Sequence, residues 1–208
     1  MSTSGANSTA STSDTSTAET IDRAVALFKI LETGDAQLAA DVVGAQFQNR
    51  ESANSPAACS IPGPAGVVAS SAWMRSAFTD LRFPILGTAV NDQQVWIRLR
   101  MQGRHTGPFV LFRDGKLDKA VPPTGRDIDF EQIHVLDVRD GKVIKHEAVR
   151  DDMTMLGQLG VFPPAPAVAA RLAGWRLFGR AKQAAAAVSA LAADAASSVG
   201  AENSVDAA

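Results

Sequence analysis

The stretch that decides the fold is EQIHVLDVRDGKVIKHEAVRDD, residues 131–152, because its pattern predicts a β-hairpin. Apolar and polar residues alternate on both sides of Asp140-Gly141, and this dipeptide favours a two-residue turn between antiparallel strands. The stretch also holds two of the three histidines of the chain, with carboxylates at both of its ends. It therefore raises the question of an acid/base site built on a hairpin.

The register of this hairpin determines which side chains share a face of the sheet. If pairing is regular outward from the turn, His134 lies opposite Glu147, and Asp151 has the same parity. His146 then points the other way as a solvated surface residue, and a slip of one residue would reverse these assignments. A carboxylate beside a histidine suits general acid/base catalysis, because it orients the ring and supports its charged form. A cross-strand pair of this kind also serves plain sheet stabilisation.

The residues before the hairpin predict helices followed by further strands. Apolar residues at helical spacing predict a first helix that Thr20 caps and Gly34 ends. A second helix, capped by Asp35, is predicted over residues 35–47, and a third over residues 62–81. Helices followed by a run of antiparallel strands predict an α+β fold, in which a curved antiparallel sheet carries helices on one face.

Strict alternation over VWIRLRMQGRH, residues 95–105, predicts a half-buried strand. His105 falls on the apolar face of this strand. The other residues of that face are Val95, Ile97, Leu99 and Met101. Further along, Asp114-Gly115 predicts the turn of a small hairpin within residues 109–121.

Composition changes at both ends divide the chain into a domain and two tails. Residues 1–18 are rich in Ser and Thr, have little to bury, and are predicted to be disordered. Residues 19–162 form the predicted domain, and residues 163–208 form a proline-led, alanine-rich helical extension with a disordered end. The extension includes the basic, tryptophan-containing segment 169–182. We favour a helix that docks on the domain or a partner there, and a membrane-surface helix is the alternative.

Composition also excludes several classes of function. The 208 residues carry a formal net charge of −2, so we expect no nucleic-acid partner. Cys59 is the single cysteine, which excludes an internal disulfide, and no cysteine or histidine cluster has the spacing of a zinc site. The sequence has no apolar run long enough for a membrane-spanning helix and no signal-peptide pattern at its start. We therefore expect a cytoplasmic protein.

An ordered set of short motifs resembles the SnoaL-like polyketide cyclases, also called ester cyclases, of the nuclear-transport-factor-2-like (NTF2-like) superfamily. The resemblance covers about residues 20–162. The motifs are AQFQN (45–49), MRSAFTDLRF (74–83), GRHTG (103–107), PPTGR (122–126), EQIHVLDVRDGKVIKHE (131–147) and LGQLG (156–160). This resemblance implies a cone-shaped α+β barrel, in which a strongly bent sheet and its helices enclose a deep apolar pocket.

The resemblance also implies an activity that uses neither a metal nor a cofactor. Members of this kind close a ring in an aromatic polyketide ester by an intramolecular aldol reaction. A carboxylate acts as general base on an acidic carbon, and nearby polar groups stabilise the enolate. A dry pocket suits this chemistry, because it raises the pKa of a carboxyl group and holds the substrate in a reactive shape.

Carried over residue by residue, the resemblance implies that Asn49, His105 and His134 line the pocket. The catalytic aspartate of the family should follow Glu147, but this chain has Ala148 there, and alanine can neither take nor give a proton. Three interpretations follow. Glu147 or Asp151 replaces the missing base, or His134 is the base of a different reaction. In the third, the fold only binds a small molecule or a protein.

The remaining expectations concern the ligand and the partner. Trp73 and Phe130 are predicted to line a pocket for a planar, largely apolar carbonyl compound, with Gln132 beside His134 in the same motif. Trp96 has the polar parity of its strand and suits the contact surface of a homodimer. The small hairpin, residues 110–121, is an addition to the family pattern, either as a lid over the pocket or as surface elaboration.

Overall fold

The computed structural model describes residues 9–205, in which helices precede a run of strands as the sequence predicts. The N-terminal elements are α1 (Thr9–Thr33), α2 (Ala36–Val42), β1 (Val43–Asn49), two short 3₁₀ turns (Arg50–Asn54 and Ala57–Ser60) and α3 (Pro64–Ala77). The strands that follow are β2 (Phe78–Arg82), β3 (Ile85–Asn91), β4 (Gln94–His105), β5 (Phe109–Arg113), β6 (Lys116–Val121), β7 (Asp127–Arg139) and β8 (Lys142–Arg150). The chain continues with α4 (Asp152–Gln158), α5 (Pro166–Leu177) and α6 (Arg180–Val205).

The main sheet has the strand order β1-β8-β7-β4-β2, with β3 also paired to β4. Its β4–β7 pair is continuous, from Gln94 opposite Asp137 to Arg104 opposite Asp127. The pairs within the sheet are antiparallel except β1–β8, which is parallel. Strands β5 and β6 form a separate two-stranded hairpin. The predicted α+β fold is therefore confirmed.

The curled sheet has an inner face, which packs against helices, and an outer face that carries ion pairs together with a few exposed apolar residues. As predicted, the alternate residues Val95, Ile97, Leu99 and Met101 of β4 are buried on the inner face. They pack in one core with Leu27 and Phe28 of α1. On the outer face, Arg98 pairs with Glu131 at 2.7 Å, and Arg100 pairs with Asp129 at 2.6 Å. The two-residue period of each strand thus separates a core from a solvated ion-pair surface.

Two of the predicted helices are shorter than predicted. Asp35 caps α2 by accepting a hydrogen bond from the Leu38 amide at 2.9 Å, but residues 43–49 leave the helix to form β1. Residues 78–82 likewise form β2, where Phe78 pairs with His105. In both segments, pairing with a neighbouring strand outweighs the local helical pattern.

The ends of the described chain are more helical than predicted. Helix α1 begins at Thr9, so residues 9–18, predicted to be disordered, are helical, and Thr20 lies inside the helix and not at its start. Residues 1–8 and 206–208 lie outside the described residues. Helix α6 extends to Val205, into the end that we predicted to be disordered. Extending a formed helix adds one hydrogen bond for each residue ordered, which favours such extensions.

The C-terminal extension docks on the domain through α6. Its buried residues pack against α3 and against the β5–β6 hairpin. They are Ala181, Ala185, Val188, Ala192, Ala196 and Val199. In contrast, Leu177 and Phe178 at the end of α5 are exposed. Along residues 9–205, no helix combines the length and apolar character needed to span a bilayer.

Candidate functional site

A cavity of about 170 Å³ lies between the inner face of the sheet and helices α1, α3 and α4. Its walls are mainly apolar. Four of the predicted substrate-binding residues, Asn49, Trp73, Phe130 and Gln132, line it together with His134. Trp73 stacks on Phe109 and donates its indole N–H to the Val110 carbonyl at 3.0 Å, which holds the ring at the cavity wall.

The polar end of the cavity is a hydrogen-bonded chain of four side chains, of which Gln132, His134 and His146 are buried and Asn49 is half-buried. His134 Nε2 lies 2.7 Å from Gln132 Oε1, and His134 Nδ1 lies 2.7 Å from His146 Nε2. His146 Nδ1 in turn lies 3.0 Å from Asn49 Oδ1. The two imidazole rings stack with their centroids 5.0 Å apart. Every ring nitrogen of the histidine pair is therefore engaged by a neighbour.

Counting the protons that its contacts need defines two states of this hydrogen-bonded chain of side chains. With Gln132 Oε1 and Asn49 Oδ1 both accepting, the three contacts need three protons, and two neutral rings supply only two. Asn49 Oδ1 is held as an acceptor, since it also accepts the Glu51 amide at 3.0 Å. The neutral chain is complete when the Gln132 amide makes a half-turn and donates to His134. With Gln132 accepting, the chain is complete when the histidine pair carries one extra proton.

Burial favours the neutral state of the pair. Desolvation lowers the pKa of His146 to about 4, and the positive charge of Arg150 adds to this effect. Burial also lowers the pKa of His134 well below its ordinary value, with the charges of His146 and Arg150 acting in the same direction. Near neutral pH these lowered pKa values favour two uncharged rings, the state in which the chain is complete only if the Gln132 amide is turned to donate.

The predicted register of the hairpin is wrong by one residue, because β8 contains a β-bulge. Val138 pairs with Val143, but the next pair is Asp137 with Lys145, so Ile144 is the extra residue. His134 therefore pairs with Ala148, and its predicted partner Glu147 pairs with Val135. His146, predicted to be a surface residue, is turned inward and buried.

The two carboxylates predicted to assist His134 lie elsewhere. Glu147 is on the outer face, where Arg50 lies 2.8 Å away and Lys145 3.0 Å away, and hydrogen bonding to Lys145 is the main cause of its lowered pKa. Asp151 caps α4, with its oxygens 3.0 Å from the Thr154 amide and 2.6 Å from the Thr154 hydroxyl. These hydrogen bonds lower the pKa of Asp151. Neither carboxylate lines the cavity.

Sequence reasoning missed the charged groups that do line the cavity. Among the described residues these are Glu51, Arg150 and Asp152. Arg150 lies between the two carboxylates, with NH1 2.8 Å from Glu51 Oε2 and Nε 3.4 Å from Asp152 Oδ1. The bulge turns Arg150 inward opposite Gln132. Glu51 lies in the 3₁₀ turn after β1 and reaches the cavity wall from there. Only pairing between β1 and β8, which are distant in sequence, brings Glu51 here.

His105, the third predicted pocket histidine, does not line the cavity. Its ring is fully buried against Phe78, and its Nδ1 lies 3.0 Å from the Thr124 hydroxyl and accepts the Thr124 amide at 3.3 Å. Burial lowers its pKa to about 4, with a further contribution from the charge of Arg171. The ring thus ties the end of β4 to the loop that precedes β7.

The additional β5–β6 hairpin is part of the cavity wall. Phe109 and Leu111 of β5 line the cavity, while the other side of the hairpin packs on α6. Along residues 9–205, no group of three or more histidine, cysteine or acidic side chains is placed to hold a metal ion. The arrangement offers an apolar chamber with one polar, hydrogen-bonded end and a guanidinium flanked by two carboxylates.

Comparison with known proteins identifies relatives of this arrangement. A family model described as SnoaL-like polyketide cyclase matches residues 21–159. Aklanonic acid methyl ester cyclase DauD of Streptomyces sp. (strain C5) is 31% identical over 115 residues, which are 55% of this chain and 62% of DauD. Its counterpart DnrD of Streptomyces peucetius is 30% identical over 116 residues, covering 55% of this chain and 69% of DnrD. The match thus spans less than two thirds of the length of DauD.

Solved structures show the same fold. TsrD from Streptomyces laurentii superimposes with a TM-score of 0.55 at 20% identity, over 69% of this chain and 96% of TsrD. At this identity the likeness supports the fold alone. The fold is the NTF2-like one, a curled half-barrel sheet with helices.

Proposed function

Because this chain belongs to the SnoaL-like polyketide cyclase family, we propose that it closes a ring in a small, largely apolar carbonyl ester by cofactor-free acid/base chemistry. The observation that carries the proposal is the apolar cavity that ends in the chain Gln132–His134–His146–Asn49. Apolar walls would exclude water and orient the substrate, while the polar end would bind its reacting carbonyl groups.

The size of the cavity bears on the substrate. A cavity of about 150 Å³ accommodates a benzene-sized ligand. The cavity here has about 170 Å³, so it would enclose one ring of an aromatic polyketide ester and leave the remainder at the mouth. Trp73 and Phe130 would pack on the faces of that ring.

A ring-closure assay tests this function. Purified full-length protein is incubated with an aromatic polyketide methyl ester, and the products are followed by mass-resolved chromatography. We expect a ring-closed product from the wild type. Trp73→Ala should raise KM, because it removes packing area, whereas Trp96→Ala on the outer face should leave the kinetics unchanged. Absence of ring-closed product from the wild type would contradict the proposal.

A non-catalytic role is the second candidate, and two observations favour it. All ring nitrogens of the histidine pair are engaged, and Ala148 stands where the resemblance implies a catalytic aspartate. In that case the cavity would only bind its ligand. Binding of the ester without turnover, together with ring closure by Ala148→Asp alone, would select this alternative.

We also propose that the protein forms a homodimer through the outer face of the sheet. Trp96, Ile133 and Val149 are exposed there at 47%, 43% and 76%, and Ile133 pairs with Val149. Exposed apolar residues of this kind are typical of protein interfaces. Light scattering after size exclusion should give the mass of two chains for the wild type and of one for the double variant Trp96→Lys/Ile133→Lys.

A further inference from the structure

We propose that Glu51 is the catalytic base of the cavity, so that a carboxylate from the 3₁₀ turn after β1 performs the proton removal that Ala148 cannot. This inference rests on the proposed function, since it names the group that starts the ring closure. Glu51 lies outside every motif that carries the family resemblance, and its place is set by tertiary structure alone.

The position of Glu51 is fixed at three points. Its Oε1 accepts the Ala148 amide at 3.0 Å, and its Oε2 lies 2.8 Å from Arg150 NH1. Its own amide donates to Asn49 Oδ1 at 3.0 Å, which connects it to the histidine pair. The carboxylate therefore lies beside the backbone of Ala148, on the wall of the cavity.

Among the groups that line the cavity, Glu51 combines partial burial with free acceptor capacity, because each of its oxygens keeps a second lone pair beside its one contact. The ring nitrogens of His134 and His146 contact each other, Gln132 and Asn49. A ring would have to give up one of these buried contacts before it could accept a proton from a ligand. Among the charged groups of the wall, the Glu51 side chain is 21% exposed and that of Asp152 is 49% exposed. Glu51 is thus the carboxylate that a bound ligand would desolvate more completely.

The reaction balances with Glu51 and the substrate alone. The Glu51 carboxylate removes a proton from the acidic carbon beside the ester carbonyl, and the electron pair of the broken C–H bond forms an enolate. The enolate carbon attacks a ketone carbonyl of the same molecule, which forms one C–C bond and an alkoxide. The alkoxide takes the proton back from the Glu51 carboxylic acid. The product is an isomer of the substrate, and no external reactant is required.

Arg150 completes the arrangement as the group that stabilises negative charge. While Glu51 is ionised, its charge faces the guanidinium at 2.8 Å. When Glu51 takes the substrate proton, the negative charge moves to the enolate oxygen at the same wall. The guanidinium then stabilises the enolate in place of the carboxylate, with little change in the total charge around it.

Two readouts test the role of Glu51 in the full-length chain. One is ring closure of an aromatic polyketide methyl ester, and the other is exchange of its acidic C–H for deuterium from the solvent, which reports proton removal alone. The test variant is Glu51→Gln, whose amide oxygen can still accept the Ala148 amide. The matched control is Glu147→Gln on the outer face. The rescue variant adds Ala148→Asp to Glu51→Gln, which returns a carboxylate to the neighbouring position.

We expect Glu51→Gln to lower kcat for both reactions by about 100-fold or more, the usual contribution of a general base, with KM and melting temperature little changed. Glu147→Gln should match the wild type, and the rescue variant should recover both reactions.

Exchange by Glu51→Gln at the wild-type rate would overturn the inference and leave the proposed function standing. Exchange without ring closure by the wild type would overturn the proposed function, while loss of that exchange in Glu51→Gln would still support the base. A wild type that does neither would overturn both.

Discussion

The inner and outer faces of the β7–β8 hairpin both carry titratable residues, but in opposite environments. On the inner face, His134 and His146 are buried in direct contact at 2.7 Å. On the outer face, the Glu147 side chain is 34% exposed and lies between Arg50 and Lys145. The inner histidines lose their charge to burial, whereas the outer carboxylate keeps its charge through its cationic neighbours. The same hairpin therefore holds an uncharged polar pair on its inner face and a charged one on its outer face.

A single bulge residue sets this difference. Without Ile144 as the extra residue, regular pairing of this chain would turn Glu147 inward beside His134 and His146 outward. The hairpin would then bury a carboxylate and expose a histidine. Four measurements test this difference in environment between the two faces, in order of decreasing expected effect.

The largest effect on the free energy of unfolding should come from lowering the pH, because acid protonates the buried histidines. The folded pKa values of His105 and His146 are about 4, below the value of about 6.5 for an unfolded chain, so the unfolded state binds protons first. The free energy of unfolding should therefore fall as the pH drops from about 6.5 towards about 4. Each of the two histidines should contribute a loss of roughly 2 kcal/mol by about pH 5. Urea unfolding at several pH values measures this, and constant stability down to pH 5 would contradict it.

Removing one ring of the buried histidine pair should have the second largest effect on stability. His146→Ala leaves a cavity, and it leaves His134 Nδ1 without its buried partner. We expect a loss of about 3 kcal/mol in the free energy of unfolding at neutral pH. Chemical denaturation measures it. A loss below about 1 kcal/mol would mean that water replaces the ring without cost.

A change of charge at Gln132 should alter the titration of the pair. In Gln132→Glu the carboxylate can only accept, so His134 must keep its Nε2 proton and the chain is complete with three protons. The pKa of the histidine pair should rise by about one unit or more. Part of the stability lost in acid should then be retained, because the folded pair binds its proton at higher pH. Histidine Cε1–H shifts in NMR report the titration, and Glu131→Gln on the outer face is the control that should not move them.

The smallest effect should come from the outer face. Glu147→Ala removes an exposed carboxylate from Arg50 and Lys145, and such pairs contribute little because water already solvates both charges. We expect no measurable change in the free energy of unfolding. A loss comparable to that of His146→Ala would contradict this expectation and would show that the outer ion pairs hold the bulge in place.

Much of the fold and part of the site could be predicted from the sequence. The alternation of β4 and the turn at Asp140-Gly141 are local patterns, and both the strands and the buried face agree with them. The cavity residues Asn49, Gln132 and His134 were found through their motifs. The strand and turn predictions succeed because two-residue periodicity and turn chemistry depend on adjacent residues alone, whereas the cavity residues follow from the family resemblance.

The remaining features of the site depend on contacts between distant parts of the chain. Nothing in the residues around Ile144 marks it as a bulge, so the prediction of Glu147 as partner of His134 was wrong. His105 was assigned to the pocket from its strand parity and its motif, but the packing of Phe78 and Thr124 separates it from the cavity. Glu51 was missed, because its place beside Ala148 arises from the pairing of β1 with β8.

The sequence by itself therefore determined the α+β class, the turn at Asp140-Gly141, the buried face of β4 and three of the four residues from which the polar end of the cavity is made. Only the tertiary structure decided which histidines touch, which carboxylates reach the cavity and which face the solvent. The physical reason is that periodicity sets the alternation of side chains within a strand, while the absolute face and the neighbours across strands depend on register. Here a one-residue bulge and one parallel strand pair set that register.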